Sequence, residues 1–215
     1  MDAATLYSQI KTYANLGDTT ICCLHKSKPN LSCIDDSQNN CKNPSQTKVI
    51  DFDAVKVLYC QQNKVSPQLT SVDAIAHKQH IFVFVEIKSN KNFLTKQLNK
   101  PDDTVDAVDR KIKKQVKNYN LIGKINDSIE VCKEIANDKN LFDRVAFVYV
   151  LVTDINTLTN PMQVFQAQLN AAAYKTININ HLLKLNNAIS ENLKSSKHPN
   201  RYVYCKDFDN FMATL

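Results

Sequence analysis

Three residues of this chain have the types and spacing that hydrolytic chemistry needs: Asp73, Glu86 and Lys88. Glu86 and Lys88 sit near the end of IFVFVEIKS, residues 81–89. Residues i and i+2 of a strand share one face, so this carboxylate and this ammonium should stand side by side. Asp73 lies 13 positions before Glu86. A short strand, a turn and a second strand over that distance would carry Asp73 opposite Glu86. Two carboxylates converging beside an ammonium form a hard-oxygen site suited to Mg²⁺ or Mn²⁺. An ion held there could bind a phosphate oxygen and acidify a water, and the lysine could orient that water and offset charge at phosphorus. This is the chemistry of phosphodiester hydrolysis. The spacing D-x₁₂-E-x-K is loose, and its weight comes from the strand that it closes. The same residues also fit a plain ion pair at a strand end.

S-V-D-A-I (71–75) followed by F-V-F-V-E-I-K-S (82–89) resembles the D…(D/E)-x-K motif of the PD-(D/E)XK nuclease superfamily. More closely, it is similar to uncharacterised bacterial proteins with an S-V-D stretch and a hydrophobic strand ending in I-E-[FI]-K. Those proteins carry D-F-D-x-V-K upstream, as in Asp51 to Lys56 here, and a K-x-x-D-S helix downstream, as in Lys124, Asp127 and Ser128. The similarity spans roughly residues 48–152. It implies a restriction-endonuclease-like fold, with Asp73 and Glu86 as metal ligands, the main-chain carbonyl of Ile87 as a further ligand and Lys88 as the catalytic lysine. Val72 stands where the eponymous proline would be. The first helix offers no glutamate as an extra ligand, a role that Asp51 or Asp53 could fill.

Gln115-Val-Lys-Asn-Tyr119 resembles the Q-x₃-Y helix motif of the RecB-like branch of that superfamily. Gln115 and Tyr119, at i and i+4, would share one helix face and could approach the site. Arg110, Lys111, Lys113, Lys114 and Lys117 lie on the same helix. They could track the phosphates of a nucleic acid, and a solvated helix face has the same composition.

Several elements must position these groups. Ile81 to Val85 is a run of β-branched and aromatic residues, as expected of a strand buried on both faces. With TSVDAIA (70–76) before it and KQH as the turn, it predicts a hairpin in which His77 and His80 are turn residues. Residues 3–15 read as a helix with Ala4, Leu6, Ile10 and Tyr13 on one face. TTICCL (19–24) is β-prone. Residues 25–47, rich in Ser, Asn, Asp, Lys and Pro, read as a surface loop or insertion. KVIDFDAVKVLYCQQ (48–62) fits strand or helix. Residues 102–135 are helical in two pieces broken near Asn120 and Gly123, with Asp102 and Asp103 in the first turn. VAFVYVLVT (145–153) is a second buried strand. Residues 161–176 and 181–194 read as helices, with Pro161 in the first turn of the former, and RYVYCKD (201–207) as a last strand. The order predicts a single α/β domain with a mixed central sheet flanked by helices.

Composition narrows the function classes. The 215 residues are 43% hydrophobic and 22% charged, an ordinary globular balance. No apolar run approaches the roughly 20 residues that cross a bilayer, and the N-terminus shows no secretory pattern. A cytoplasmic protein without a membrane partner is therefore expected. Only Gly17 and Gly123 are glycines, which excludes glycine-rich dinucleotide loops, P-loops and the G-x-S-x-G elbow. A net charge of +6 suits a polyanionic partner. Cys22, Cys23, Cys33, Cys41, Cys60, Cys132 and Cys205 are an odd set, read as reduced thiols. The four between 22 and 41, with His25, lack the paired C-x₂₋₄-C hooks of a zinc site.

The expectation is thus an Mg²⁺- or Mn²⁺-dependent endonuclease acting on nucleic acid, DNA before RNA, with a homodimer or partner protein conceivable. The alternative is a non-catalytic nucleic-acid-binding or protein-interaction module, of the immunity or regulatory kind, on the same fold.

Overall fold

The structure is a computed structural model, and it describes residues 1–27, 44–65, 69–98, 104–157 and 178–215. The elements run α1 (Ala3–Ala14), β1 (Thr19–Thr20), α2 (Ile21–Ser27), β2 (Lys48–Asp51), α3 (Phe52–Asn63), β3 (Ala74–Lys78) and β4 (Ile81–Lys88). After a π-helical turn at Phe93–Gln97 come α4 (Val105–Tyr119), α5 (Leu121–Ala136), α6 (Leu141–Arg144) and β5 (Ala146–Thr153). Then follow α7 (Ile179–Lys194), β6 (Asn200–Tyr204), a 3₁₀ turn and α8 (Phe208–Thr214). The protein is a mixed α/β fold. The six strands among the described residues form one sheet in the order β1-β2-β3-β4-β5-β6. β1 to β4 pair antiparallel, and β4–β5 and β5–β6 pair parallel.

The alternation of β4 explains why both sheet faces are dry. Phe82 and Phe84 pack on one face with α1, α3, α4, α5 and α7. Val83, Val85 and Ile87 pack on the other with α2 and α8. Covering both sides is what permits a parallel pair at the sheet centre. No helix among the described residues is long and apolar enough to cross a membrane.

Several expectations change in detail. The buried face of α1 is Ala3, Leu6, Tyr7 and Ile10; Ala4 and Tyr13 lie half-buried at its edge. TTICCL keeps only two strand residues before α2 begins. Residues 48–62 are strand and then helix, divided where the Asp51 carboxylate accepts the Ala54 N–H at 3.3 Å and caps α3. His77 belongs to β3, its ring 4.8 Å from that of Tyr7, and the turn centres on Gln79 at φ 50°. The break between α4 and α5 falls at Asn120, at φ 49°. Gly123 lies inside α5, where a Cβ would meet the Asn120 side chain at 2.5 Å. The last strand stops at Tyr204 and turns into the 3₁₀ segment.

Of the insertion expected at 25–47, residues 25–27 belong to α2 and residues 28–43 lie outside the described residues. Its far end is anchored: Asp209 of α8 accepts hydrogen bonds from Ser45 Oγ at 2.5 Å, Thr47 Oγ1 at 2.6 Å and the Gln46 N–H at 2.7 Å. Cys33 and Cys41, Asp102 and Asp103, and the helix expected at 161–176 lie outside the described residues.

Candidate active site

The register of the central hairpin places the two carboxylates. Ala74 pairs with Val85, Ile75 with Phe84, and so on to Lys78 with Ile81. Continued by one residue, this register sets Asp73 across from Glu86. Asp73 also shares its sheet face with Ile75, which packs with Phe82 and Phe84 on the side where Glu86 and Lys88 point. The approach to Asp73, residues 69–73, has no ladder of its own, and side chains from two helices hold it. Asp127 of α5 accepts from the Thr70 N–H at 2.9 Å and from Thr70 Oγ1 at 2.7 Å. Ser128 Oγ accepts the Val72 N–H at 3.0 Å. Asp53 of α3 accepts Ser71 Oγ at 2.5 Å, and the Phe52 N–H reaches the Asp73 carbonyl at 3.1 Å. Asp51 and Asp53 are therefore engaged in positioning α3 and the strand that carries Asp73.

Asp73 is buried, and its Oδ2 accepts the Ile87 N–H at 2.7 Å. Glu86 is 0% exposed. Its Oε1 accepts from two ammoniums, that of Lys88 and that of Lys124 of α5, the latter at 2.7 Å. Among the described residues its Oε2 has no hydrogen-bond partner. Burial pushes the Glu86 carboxyl above its ordinary range; Lys88 and Lys124 oppose that shift, and Asp73 adds to it. Burial pulls Lys88 down, but the Glu86 and Asp73 carboxylates outweigh it and hold the ammonium above its usual value. Lys88 Nζ also lies 3.4 Å from the Ile87 carbonyl and 5.7 Å from the centre of the Tyr119 ring, within cation–π range.

Gln115 and Tyr119 do approach these groups. Gln115 Nε2 donates to Tyr119 Oη at 3.3 Å, and Tyr119 Oη donates to Asn90 Oδ1. The buried Tyr119 hydroxyl is pushed up to about 12, chiefly by desolvation. Asn90 is tied in turn to Thr153 Oγ1 at 2.8 Å and, by its N–H, to Asp154 at 2.6 Å. Asp154 also accepts Ser89 Oγ at 2.6 Å. Buried polar groups linked in this way fix one another's geometry. Here they fix the ring under Lys88.

The cations of α4 stand apart from the three central residues. Arg110, Lys113, Lys114 and Lys117 are exposed on the face opposite the buried Val108, Ile112 and Val116. Lys111 Nζ donates to the Gln97 carbonyl at 3.1 Å. Lys111 and Lys114, with Lys96 and Gln115, line a cleft of about 400 Å³. Lys113 and Lys117 border another of about 540 Å³ against α7.

The contact of Lys124 with Glu86, and the Asn90–Asp154 network, are not visible in the hairpin motif. The K-x-x-D-S stretch did carry a signal. Lys124, Asp127 and Ser128 sit three and four apart, so one face of α5 reaches both the Thr70–Val72 segment and Glu86. Among the described residues no cluster of three or more His, Cys, Asp or Glu side chains is placed to hold a metal. Two carboxylates and a carbonyl are a different donor set. One feature leaves room for a hard cation: a fully buried carboxylate oxygen, Glu86 Oε2, to which no described residue supplies a donor.

Compared with known proteins, the chain matches no family model, no curated protein and no solved structure.

Proposed function

We propose that this chain is a metal-dependent nuclease of restriction-endonuclease-like architecture, as its resemblance to the PD-(D/E)XK superfamily implies. The observation that carries the reading is the register that brings Asp73 toward Glu86, with a buried Glu86 oxygen that has no partner among the described residues and Lys88 beside it. In this reading Asp73, Glu86 and the Ile87 carbonyl hold Mg²⁺ or Mn²⁺. The ion supplies Lewis acidity at the phosphate and an acidified water. Lys88 orients that water and offsets charge building at phosphorus. Tyr119 keeps the Lys88 ammonium in place, and Gln115 and Asn90 hold the Tyr119 hydroxyl. The exposed cations of α4, Arg110 to Lys117, guide the sugar-phosphate backbone, with DNA the expected polymer.

A second reading has its own observation. Two ammoniums meet on Glu86, and the Asp73 carboxylate acts on Lys88, so the cluster balances its charge without an ion. That favours a non-catalytic nucleic-acid or protein-interaction module. Incubation with plasmid, single-stranded DNA and RNA, each with Mg²⁺, Mn²⁺ or EDTA, separates the two. The nuclease reading expects cleavage with either ion and none with EDTA. A gel shift without cleavage under every condition would leave the binding module.

A further inference from the structure

We propose that Lys124 is a second substrate-binding cation of this site, which holds Glu86 while no divalent ion is bound and passes to a non-bridging phosphate oxygen when one is. The inference rests on the nuclease reading and extends it to a residue from a different element. Lys88 and Lys124 converge on the same oxygen, Glu86 Oε1, and leave Oε2 without a partner. Two like charges on one acceptor repel each other at short range, an arrangement that a new ligand can relieve.

The two lysines are not held alike. Lys88 leaves a rigid central strand and has the Ile87 carbonyl and the Tyr119 ring about it as well as Glu86. Lys124 reaches across from α5 to Glu86, about as shielded as Lys88 (20% against 18% exposed) but without the carbonyl and ring contacts given for Lys88. The helix beneath it is fixed, because Asp127 and Ser128 are bound to residues 70 and 72. The ammonium can therefore swing without moving α5, and Lys124 is the one to move.

Charge balance gives the swing its purpose. Lys88 and Lys124 both pair with Glu86, and with the Asp73 carboxylate acting on Lys88 the resting cluster gathers two negative and two positive charges. A divalent ion adds two positive charges. Attack of hydroxide on a phosphodiester monoanion produces a transition state with two negative charges. Lys124 then has a phosphate oxygen to bind where the carboxylate no longer needs it.

The test is calorimetric titration with Mn²⁺ of wild type, Lys124→Met and Glu86→Ala, with turnover measured at saturating Mn²⁺ and saturating DNA. Lys124→Met should bind Mn²⁺ more tightly, on the order of tenfold, because a competing charge is gone. Its turnover should fall by about a hundredfold, as expected for losing one donor to the reacting phosphate. Lys124→Gln should show both changes, and the thermal midpoint of each variant verifies that it is folded. Unchanged or weaker Mn²⁺ affinity, or unchanged turnover, overturns the inference while wild-type binding still depends on Glu86. Wild-type protein without Glu86-dependent Mn²⁺ binding overturns the inference together with the nuclease reading.

Discussion

Asp73 lies one residue before the first β3–β4 pair, Ala74–Val85, on the register that leads to Glu86, and its Oδ2 accepts the N–H of Ile87, the residue after Glu86, at 2.7 Å. One carboxylate thus braces the strand that carries the other. This double use separates two substitutions. Asp73→Asn keeps an acceptor for the Ile87 N–H and loses the charge. It should fold normally, by circular dichroism and thermal melting, while cleavage falls by a factor of about 10² or more. Asp73→Ala leaves a buried N–H unsatisfied as well, and should cost a further 1–3 kcal/mol or so of stability in urea unfolding.

Lys88 contributes to chemistry and little to affinity in this account. Lys88→Met keeps the stem packed over Tyr119 and removes the ammonium. Nucleic-acid affinity, measured by fluorescence anisotropy, should stay within about twofold, while turnover falls by roughly 10²–10⁴, the range of a lost proton-handling or orienting group. A large loss of affinity with turnover intact would make Lys88 a docking residue.

The cations of α4 should behave in the opposite way. Replacing Lys113, Lys114 and Lys117 with Ala should weaken binding and flatten its salt dependence, by roughly 0.7–0.9 in the slope of log K against log salt for each lost phosphate contact. Turnover at saturating substrate should survive, since these side chains lie on the exposed face of the helix. An unaltered slope would mark that face as merely solvated.

The elements that hold the candidate site were legible where local pattern decides structure. The run Ile81 to Val85 could only be a buried strand, and the i, i+2 spacing fixed the common face of Glu86 and Lys88. Asp73 could be placed because a hairpin ties register to sequence distance. What escaped was tertiary. Residues 70–73 have a strand-like composition, yet Asp127 and Ser128 hold them, so β3 begins only at Ala74. Lys124 is 38 positions from Glu86, and no spacing rule spans that distance. The strand–helix ambiguity of residues 48–62 was resolved by one cap, Asp51, whose side chain stops the strand and starts the helix.

Asp209 supplies a pH test independent of chemistry. Burial alone would raise its carboxyl, but the hydrogen bonds from Ser45, Thr47 and the backbone at 46 and 47 win, and it lies below the ordinary value. A carboxyl depressed in the folded state stabilises above its unfolded value, near 4, and loses that contribution as pH falls through the folded value. Asp209→Asn should therefore lower stability at neutral pH, by up to about 1 kcal/mol for a carboxylate that water partly screens. The gap to wild type should close as pH falls through the folded value, once the carboxyl is protonated in both states. A gap constant over the whole range would mean that size, not charge, holds residues 45–47.

The central claim is that Asp73 and Glu86 share one cation. A crystal soaked in Mn²⁺ and measured at an anomalous wavelength tests it most directly. One strong anomalous peak is expected between the two carboxylates, within ligand distance of the Ile87 carbonyl, with Lys124 turned away from Glu86. An empty site after soaking, with both lysines still on Glu86 Oε1, would contradict it.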